Sequence, residues 1–171
     1  GESGDFVTAP EMGSLFAGCL ARQIVQVAEE IGAYDILEIG AGSGRLAQDI
    51  LQWLPPDKLP GRYFILDRSA DLRQVQKDRF NALPDALRER IHWLDQPPQT
   101  TWRGVLLANE VIDALAVDRF ELGHDGVQQL CVSEGEEGFT WATRPASIEL
   151  GDRVNRLGIE ADPGFRSEIN L

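Results

Sequence analysis

The run Tyr34-Asp35-Ile36-Leu37-Glu38-Ile39-Gly40-Ala41-Gly42-Ser43-Gly44-Arg45 constrains this chain more than any other stretch. A short apolar segment ends in an acid, three alternating glycines follow, and helical periodicity then begins. That order describes a buried strand, a tight turn and a helix N-terminus, the place where an α/β sheet holds a nucleotide-like cofactor. Glycine lets the backbone take positive φ there and come nearer a ligand than a Cβ would permit.

Two cofactor patterns overlap at this loop. The dinucleotide fingerprint G-x-G-x-x-G/A fails from Gly40, because Arg45 fills its third small position, but passes from Gly42 through Gly44 to Ala47. Spacing alone therefore leaves an NAD-linked oxidoreductase open, and a non-catalytic assembly or binding module that keeps a vestigial cofactor pocket is the other alternative. The pattern E-x-G-x-G-x-G fits without a frame shift as Glu38, Gly40, Gly42 and Gly44, and it is the loop used for S-adenosyl-L-methionine. Charge favours this second pattern. A pyrophosphate seeks donors and positive potential, whereas a sulfonium and an ammonium welcome carboxylates. The expected strand tips carry Glu38, Asp67, Asp95, Glu110 and Asp113, an acidic crevice suited to a cationic cofactor.

The charge balance narrows the partners. A formal net charge of −12 speaks against nucleic acid or an anionic membrane surface, since phosphate binding draws on clustered Lys and Arg. The apolar share of 43% is that of a globular chain, and 171 residues suffice to bury a single core. No basic start leads into an apolar run, so a signal peptide is not expected, nor is a membrane span. Cys19 and Cys131 lack metal spacing, and Cys19 is expected as a reduced thiol on the apolar face of a helix. No metal centre is expected.

Periodicity places the elements. Thr8-Ala9-Pro10-Glu11 reads as a capping box opening one helix to about Ile31, with Leu15, Phe16, Cys19, Leu20, Ile24, Val27, Ala28 and Ile31 on its inner stripe. Strands are expected at 35–39, 63–66, 91–94 and 105–108, with helices at 45–54 and after Ser69, the latter turning Leu72, Val75, Phe80 and Leu83 inward. The β-α-β-α-β order implies a parallel, doubly wound sheet, and the apolar fourth strand implies cover on both faces. Segments 117–122, 127–133 and 139–143 then read as an antiparallel meander, and the chain from Arg144 onward reads as polar and poorly periodic. Residues 1–116 are thus expected to form the cofactor-binding core, and 117–171 a meander and irregular segment of the same domain.

Four segments recur, in this order, in a known family: Gly4-Asp5-Phe6-Val7-Thr8-Ala9-Pro10-Glu11, the glycine loop, Tyr63 through Gln76, and Ala108-Asn109-Glu110-Val111-Ile112-Asp113-Ala114-Leu115. Together they resemble the MidA-like methyltransferases over roughly residues 4–120, and more weakly at Gly164-Phe165-Arg166-Ser167-Glu168. The resemblance implies a class I S-adenosyl-L-methionine-dependent methyltransferase, an α/β Rossmann-like fold with a mostly parallel sheet. It further implies a protein arginine methyltransferase acting on a subunit of respiratory complex I, working in the bacterial cytoplasm or, in a eukaryote, the mitochondrial matrix. Against such a fold's seven strands the sequence reads as cut at its C-terminus. Asp67 stands where the family more often has Glu, and Ala116 where it often has Pro.

The resemblance also suggests roles. Gly40, Gly42 and Gly44 would pass beneath the methionine and ribose parts of the cofactor, and Glu38 would accept from its ammonium, directly or through water, or else stand as a solvated acid beside the turn. Asp67 would accept the ribose hydroxyls, or else serve as an N-terminal acid for the helix after Ser69. Asp95 would meet the adenine amine or stand as a surface acid before Pro97-Pro98. Asp5 and Thr8 belong to the family's first motif and would close over the cofactor, Thr8 alternatively being a plain helix cap. Catalysis would rest on Glu110 gripping a guanidinium, with Asp113 second and Asn109 shaping the cofactor side.

Overall fold

The computed structural model describes residues 8–171, which fall in two compact units divided between Ile112 and Asp113.

The first unit holds a parallel four-stranded sheet in the order β3-β2-β1-β4. Its strands are β1 (Asp35–Ile39), β2 (Tyr63–Leu66), β3 (Ile91–Leu94) and β4 (Gly104–Leu107). The chain winds outward from β1 to β3 and then returns to β4 on the other side of β1. The order therefore reverses between β1 and β4, and ligands of such sheets bind beyond the strand C-termini at that point. Register aligns Ile36 with Tyr63 and Val105, and Tyr63 with Ile91, so that one row of apolar side chains faces the core. The opposite row differs from the expected double cover. Leu37 is buried there, but Leu106 is 54% exposed, and the Arg62 guanidinium lies over the Phe64 ring.

Three longer helices, two of four residues each and a 3₁₀ turn at Pro56–Lys58 accompany the sheet: α1 (Ala9–Met12), α2 (Leu15–Ile31), α3 (Arg45–Trp53), α4 (Ala70–Phe80) and α5 (Asp85–Arg88), α1 and α5 being the short ones. The first long helix expected from the sequence is broken in two at Gly13-Ser14. Its capping box does not form either, since the Thr8 side chain makes no cap hydrogen bond. The inner face of α2 is Ala17, Ala21, Ile24 and Ala28, while Leu15, Cys19 and Val27 are exposed. Small side chains let the helix lie close to its neighbours, and a Cβ on Gly18 would stand 3.1 Å from the Trp53 ring of α3. On α4 the inward residues are Gln76 and Phe80, and Leu72 and Val75 face outward. Ser69 caps this helix by accepting from the Leu72 N–H at 3.2 Å.

The second unit is an antiparallel sheet in the order β7-β6-β5-β8, formed by β5 (Asp118–Gly123), β6 (Gly126–Gly135), β7 (Gly138–Pro145) and β8 (Arg166–Ile169). The first three strands are the expected meander. The polar tail holds two elements that periodicity did not reveal, α6 (Ile148–Arg156) and β8. Ser147 caps α6 through the Leu150 N–H at 3.1 Å, and Leu150 and Val154 pack on Phe120 to form this unit's small core. Of its three apolar residues only Leu150 and Val154, one turn apart, face the core while Ile148 is exposed, too short a stripe for a periodic signal.

Candidate cofactor site

At the C-terminal end of β1 the chain turns through Gly40, Gly42 and Gly44 with φ of 66°, 55° and 79°, a left-handed conformation costly for any residue bearing a Cβ. Space distinguishes the last two. A Cβ on Gly42 would meet nothing within 4 Å, so this peptide presents open backbone to a ligand. A Cβ on Gly44 would stand 2.9 Å from Phe80 Cζ and 3.1 Å from Gln76 Cγ, so this glycine serves contact with α4.

The loop is held from several sides. Gln76 Nε2 donates to the Gly42 carbonyl at 2.9 Å, and Arg79 Nε donates to the Ser43 carbonyl at 2.9 Å. Ser43 Oγ donates to the Glu11 carboxylate, which ties α1 to the loop in place of the expected capping box. Thr8, just before α1, accepts the Glu11 N–H at its carbonyl, 2.9 Å away. Asp5 lies outside the described residues.

Two buried acids flank the turn. Glu38, at 3% exposure, accepts from the Tyr63 hydroxyl at 2.9 Å. Burial pushes its carboxyl up to about 7, opposed by the Tyr63 hydrogen bond and reinforced by the negative charge of Asp67. Burial also drives Tyr63 well above its ordinary value, so it remains a phenol donor. Asp67, at the tip of β2, accepts the Ser69 N–H on Oδ1 and Gln76 Nε2 on Oδ2, each at 3.0 Å. Both acids are thus held by neutral donors, and a cationic ligand beside Glu38 would favour the charged form that burial alone disfavours.

Asp95 follows β3 as an exposed carboxylate paired with Arg73 at 2.7 Å. Arg73 also donates to the Asp67 carbonyl at 2.8 Å and the Leu94 carbonyl at 2.6 Å, clamping the ends of β2 and β3 together. Asn109 is half-buried and Glu110 exposed, directly after β4. Glu110 has φ of 51°, the positive-φ non-glycine among the described residues, a conformation that costs about 1–3 kcal/mol. Its neighbour Val111 covers the glycine turn, since a Cβ on Gly40 would meet Val111 Cγ2 at 3.0 Å. Asp113, exposed, opens the second unit.

The structure therefore gathers Glu38, Gly40, Gly42, Gly44 and Asp67 at the sheet's switch point, with Glu110 on the adjoining strand end. It adds three residues that sequence reasoning did not single out: Tyr63, Gln76 and Arg73. Their signal was a polar group within an otherwise apolar strand, and a glutamine and an arginine on the inner side of α4. Open backbone at Gly42 beside two buried carboxylates fits a cofactor carrying a sulfonium and an ammonium. Among the described residues, no group of His, Cys, Asp and Glu could hold a metal ion, and no helix is long and apolar enough to cross a membrane.

Comparison with known proteins agrees with this geometry. Residues 19–171 match the family described as "Putative S-adenosyl-L-methionine-dependent methyltransferase". A mitochondrial protein of Drosophila melanogaster, the protein arginine methyltransferase NDUFAF7 homolog, is 27% identical over 146 residues, covering 71% of this chain and 33% of that protein. A crystal structure from Burkholderia thailandensis, bound to S-adenosyl-homocysteine, is 37% identical, with a TM-score of 0.73 over 99% of this chain and 44% of the other. A native structure of an uncharacterized superfamily protein from the same organism has a TM-score of 0.71 at 37% identity, over 98% of this chain and 45% of the other. The chain thus spans about a third of the curated relative it matches and less than half of these solved structures. It belongs to the MidA-like family of S-adenosyl-L-methionine-dependent methyltransferases.

Proposed function

We propose that this chain binds S-adenosyl-L-methionine at the turn after β1 and takes part in methyl transfer to an arginine side chain of a protein. The observation that carries the reading is the pair of buried acids, Glu38 and Asp67, on either side of three left-handed glycines. When bound, the cofactor supplies an electrophilic methyl group on a positively charged sulfur. Glu38 would hold its ammonium, Asp67 its ribose hydroxyls, and Asp95 its adenine amine beside the Arg73 guanidinium. Thr8 and Asp5 would close over it.

The acceptor side belongs to Glu110. A guanidinium is a poor nucleophile because its lone pairs are delocalised. A carboxylate accepting two of its N–H groups orients one nitrogen, draws positive charge away from it and receives the departing proton. The left-handed backbone at Glu110 would present that carboxylate after β4, and alignment of this kind can supply ~7–11 kcal/mol of a barrier. Asn109 would line the cofactor side, and Asp113 would be a second acid for the acceptor. The name of the Drosophila relative supports arginine as acceptor. A subunit of respiratory complex I, as the family resemblance implies, is the first protein to try. The compartment would follow it: cytoplasm in a bacterium, mitochondrial matrix in a eukaryote. By this reading residues 1–116 carry the cofactor.

Mass spectrometry of extract proteins after incubation with methyl-labelled cofactor tests the reading. Label on arginine, lost with Glu110→Ala while cofactor binding persists, supports it. Label confined to small molecules, or a Glu110→Ala chain that methylates normally, contradicts it.

A further inference from the structure

Gln76 is 0% exposed, and each polar atom of its side chain has a partner. Trp93 Nε1 on β3 donates to Oε1 at 2.8 Å. An indole N–H can only donate, so it fixes which end of the amide is the oxygen. Both Nε2 hydrogens must then face the other way, and they go to the Gly42 carbonyl at 2.9 Å and to Asp67 Oδ2 at 3.0 Å. One NH₂ group therefore sets the separation between the glycine turn and the acid at the tip of β2.

The choice of amide has a chemical consequence. A carboxylate offers about four lone-pair directions, and here one is taken by the Ser69 N–H and one by Gln76. The rest stay available. A lysine or arginine in the place of Gln76 would hold Asp67 equally still but cancel its charge. Glutamine holds it and leaves the charge in place.

Resting on the cofactor reading above, we propose that Gln76 is a positioning residue that aims Asp67 at the two ribose hydroxyls, with Trp93 locking the amide in the only orientation that can do so. It touches no ligand itself. Its work is to make the site discriminate a nucleoside bearing both hydroxyls from one lacking them. A site built to hydrogen-bond a hydroxyl discriminates strongly against the analogue without it, because its own polar groups are left unpaired.

The experiment is a calorimetric titration of the whole chain with S-adenosyl-homocysteine and with its 2′,3′-dideoxy analogue. The wild-type chain should favour the hydroxylated ligand by at least about tenfold. In Gln76→Met the ratio should collapse toward one, through lost affinity for S-adenosyl-homocysteine and with the analogue's affinity unchanged. Trp93→Phe removes the indole donor, together with part of the ring that packs on Phe80, and frees the amide to turn over, so the ratio should fall part of the way, by about threefold or more. A merely structural role would weaken both ligands in parallel and leave the ratio intact in both variants, which overturns the proposal. Should Gln76→Met fail to fold, Trp93→Phe decides alone: a reduced ratio supports the proposal and an unchanged one sinks it. A wild-type chain that binds neither ligand is a different result, because it removes the cofactor reading and this proposal with it.

Discussion

The Tyr63 hydroxyl stands 2.9 Å from the Glu38 carboxylate, within a core that leaves the tyrosine wholly buried and the glutamate nearly so. Burial outweighs this hydrogen bond and lifts Glu38 from 4.5 to about 7, so the folded protein favours the neutral acid below about pH 7. The stability that follows is fully present below pH 4.5, where both states are protonated, and is lost as pH rises through about 7. Between those values the unfolded chain gives up its proton first, and the loss reaches roughly 3 kcal/mol. Urea unfolding across pH 4.5–8 should show wild type losing that much relative to Glu38→Gln. A difference between the two that does not vary with pH would contradict the assignment.

Gly42→Ala and Gly44→Ala should separate binding from folding. Both force a Cβ into positive φ, at about 1–2 kcal/mol each. At Gly44 the added methyl also meets Phe80, and overpacking of this kind costs a further ~1–3 kcal/mol. Thermal unfolding should therefore show the larger loss for Gly44→Ala. Gly42→Ala should instead lose cofactor affinity with the smaller change in stability, because its methyl enters the open space above the turn.

Arg73 joins two strand ends through carbonyl oxygens of Asp67 and Leu94 and the carboxylate of Asp95. A lysine has the charge but not the planar fork that reaches all of them. Arg73→Lys should cost about 1–3 kcal/mol in chemical unfolding, close to the cost of Arg73→Ala. If lysine restores wild-type stability, the clamp depends on charge alone.

Glu110 is held in a left-handed conformation that glycine adopts freely. Glu110→Gly should raise unfolding free energy by about 1 kcal/mol and abolish methyl transfer, the opposed signs that mark strain kept for function. Denaturation midpoints and a single-turnover assay read the two effects. Loss of stability in Glu110→Gly would mean that the carboxylate is held by contacts stronger than the strain.

The sheet was legible because its signals are local. Short, mostly apolar runs bounded by turns placed β1, β2, β3 and β4, and paired glycines placed the hairpins of the meander. Helix faces were read less well. On α2 the larger apolar residues were expected inside, yet close packing chose Ala17, Ala21 and Ala28. On α4, Val75 was expected where Gln76 lies, because a buried glutamine is favourable only when distant partners satisfy it, and Gly42, Asp67 and Trp93 are distant in sequence. The acids at the strand tips could be named from charge and spacing. Glu38's exchange with Tyr63 could not, since it depends on which β2 residue shares a face with β1.

The most direct test is equilibrium titration of the full chain with S-adenosyl-L-methionine, with NADH as comparator. The account predicts saturable one-to-one binding of the sulfonium cofactor, at least about tenfold weaker in Asp67→Ala, and no binding of NADH. Absence of binding by the folded chain, or saturation by NADH in its place, would contradict it.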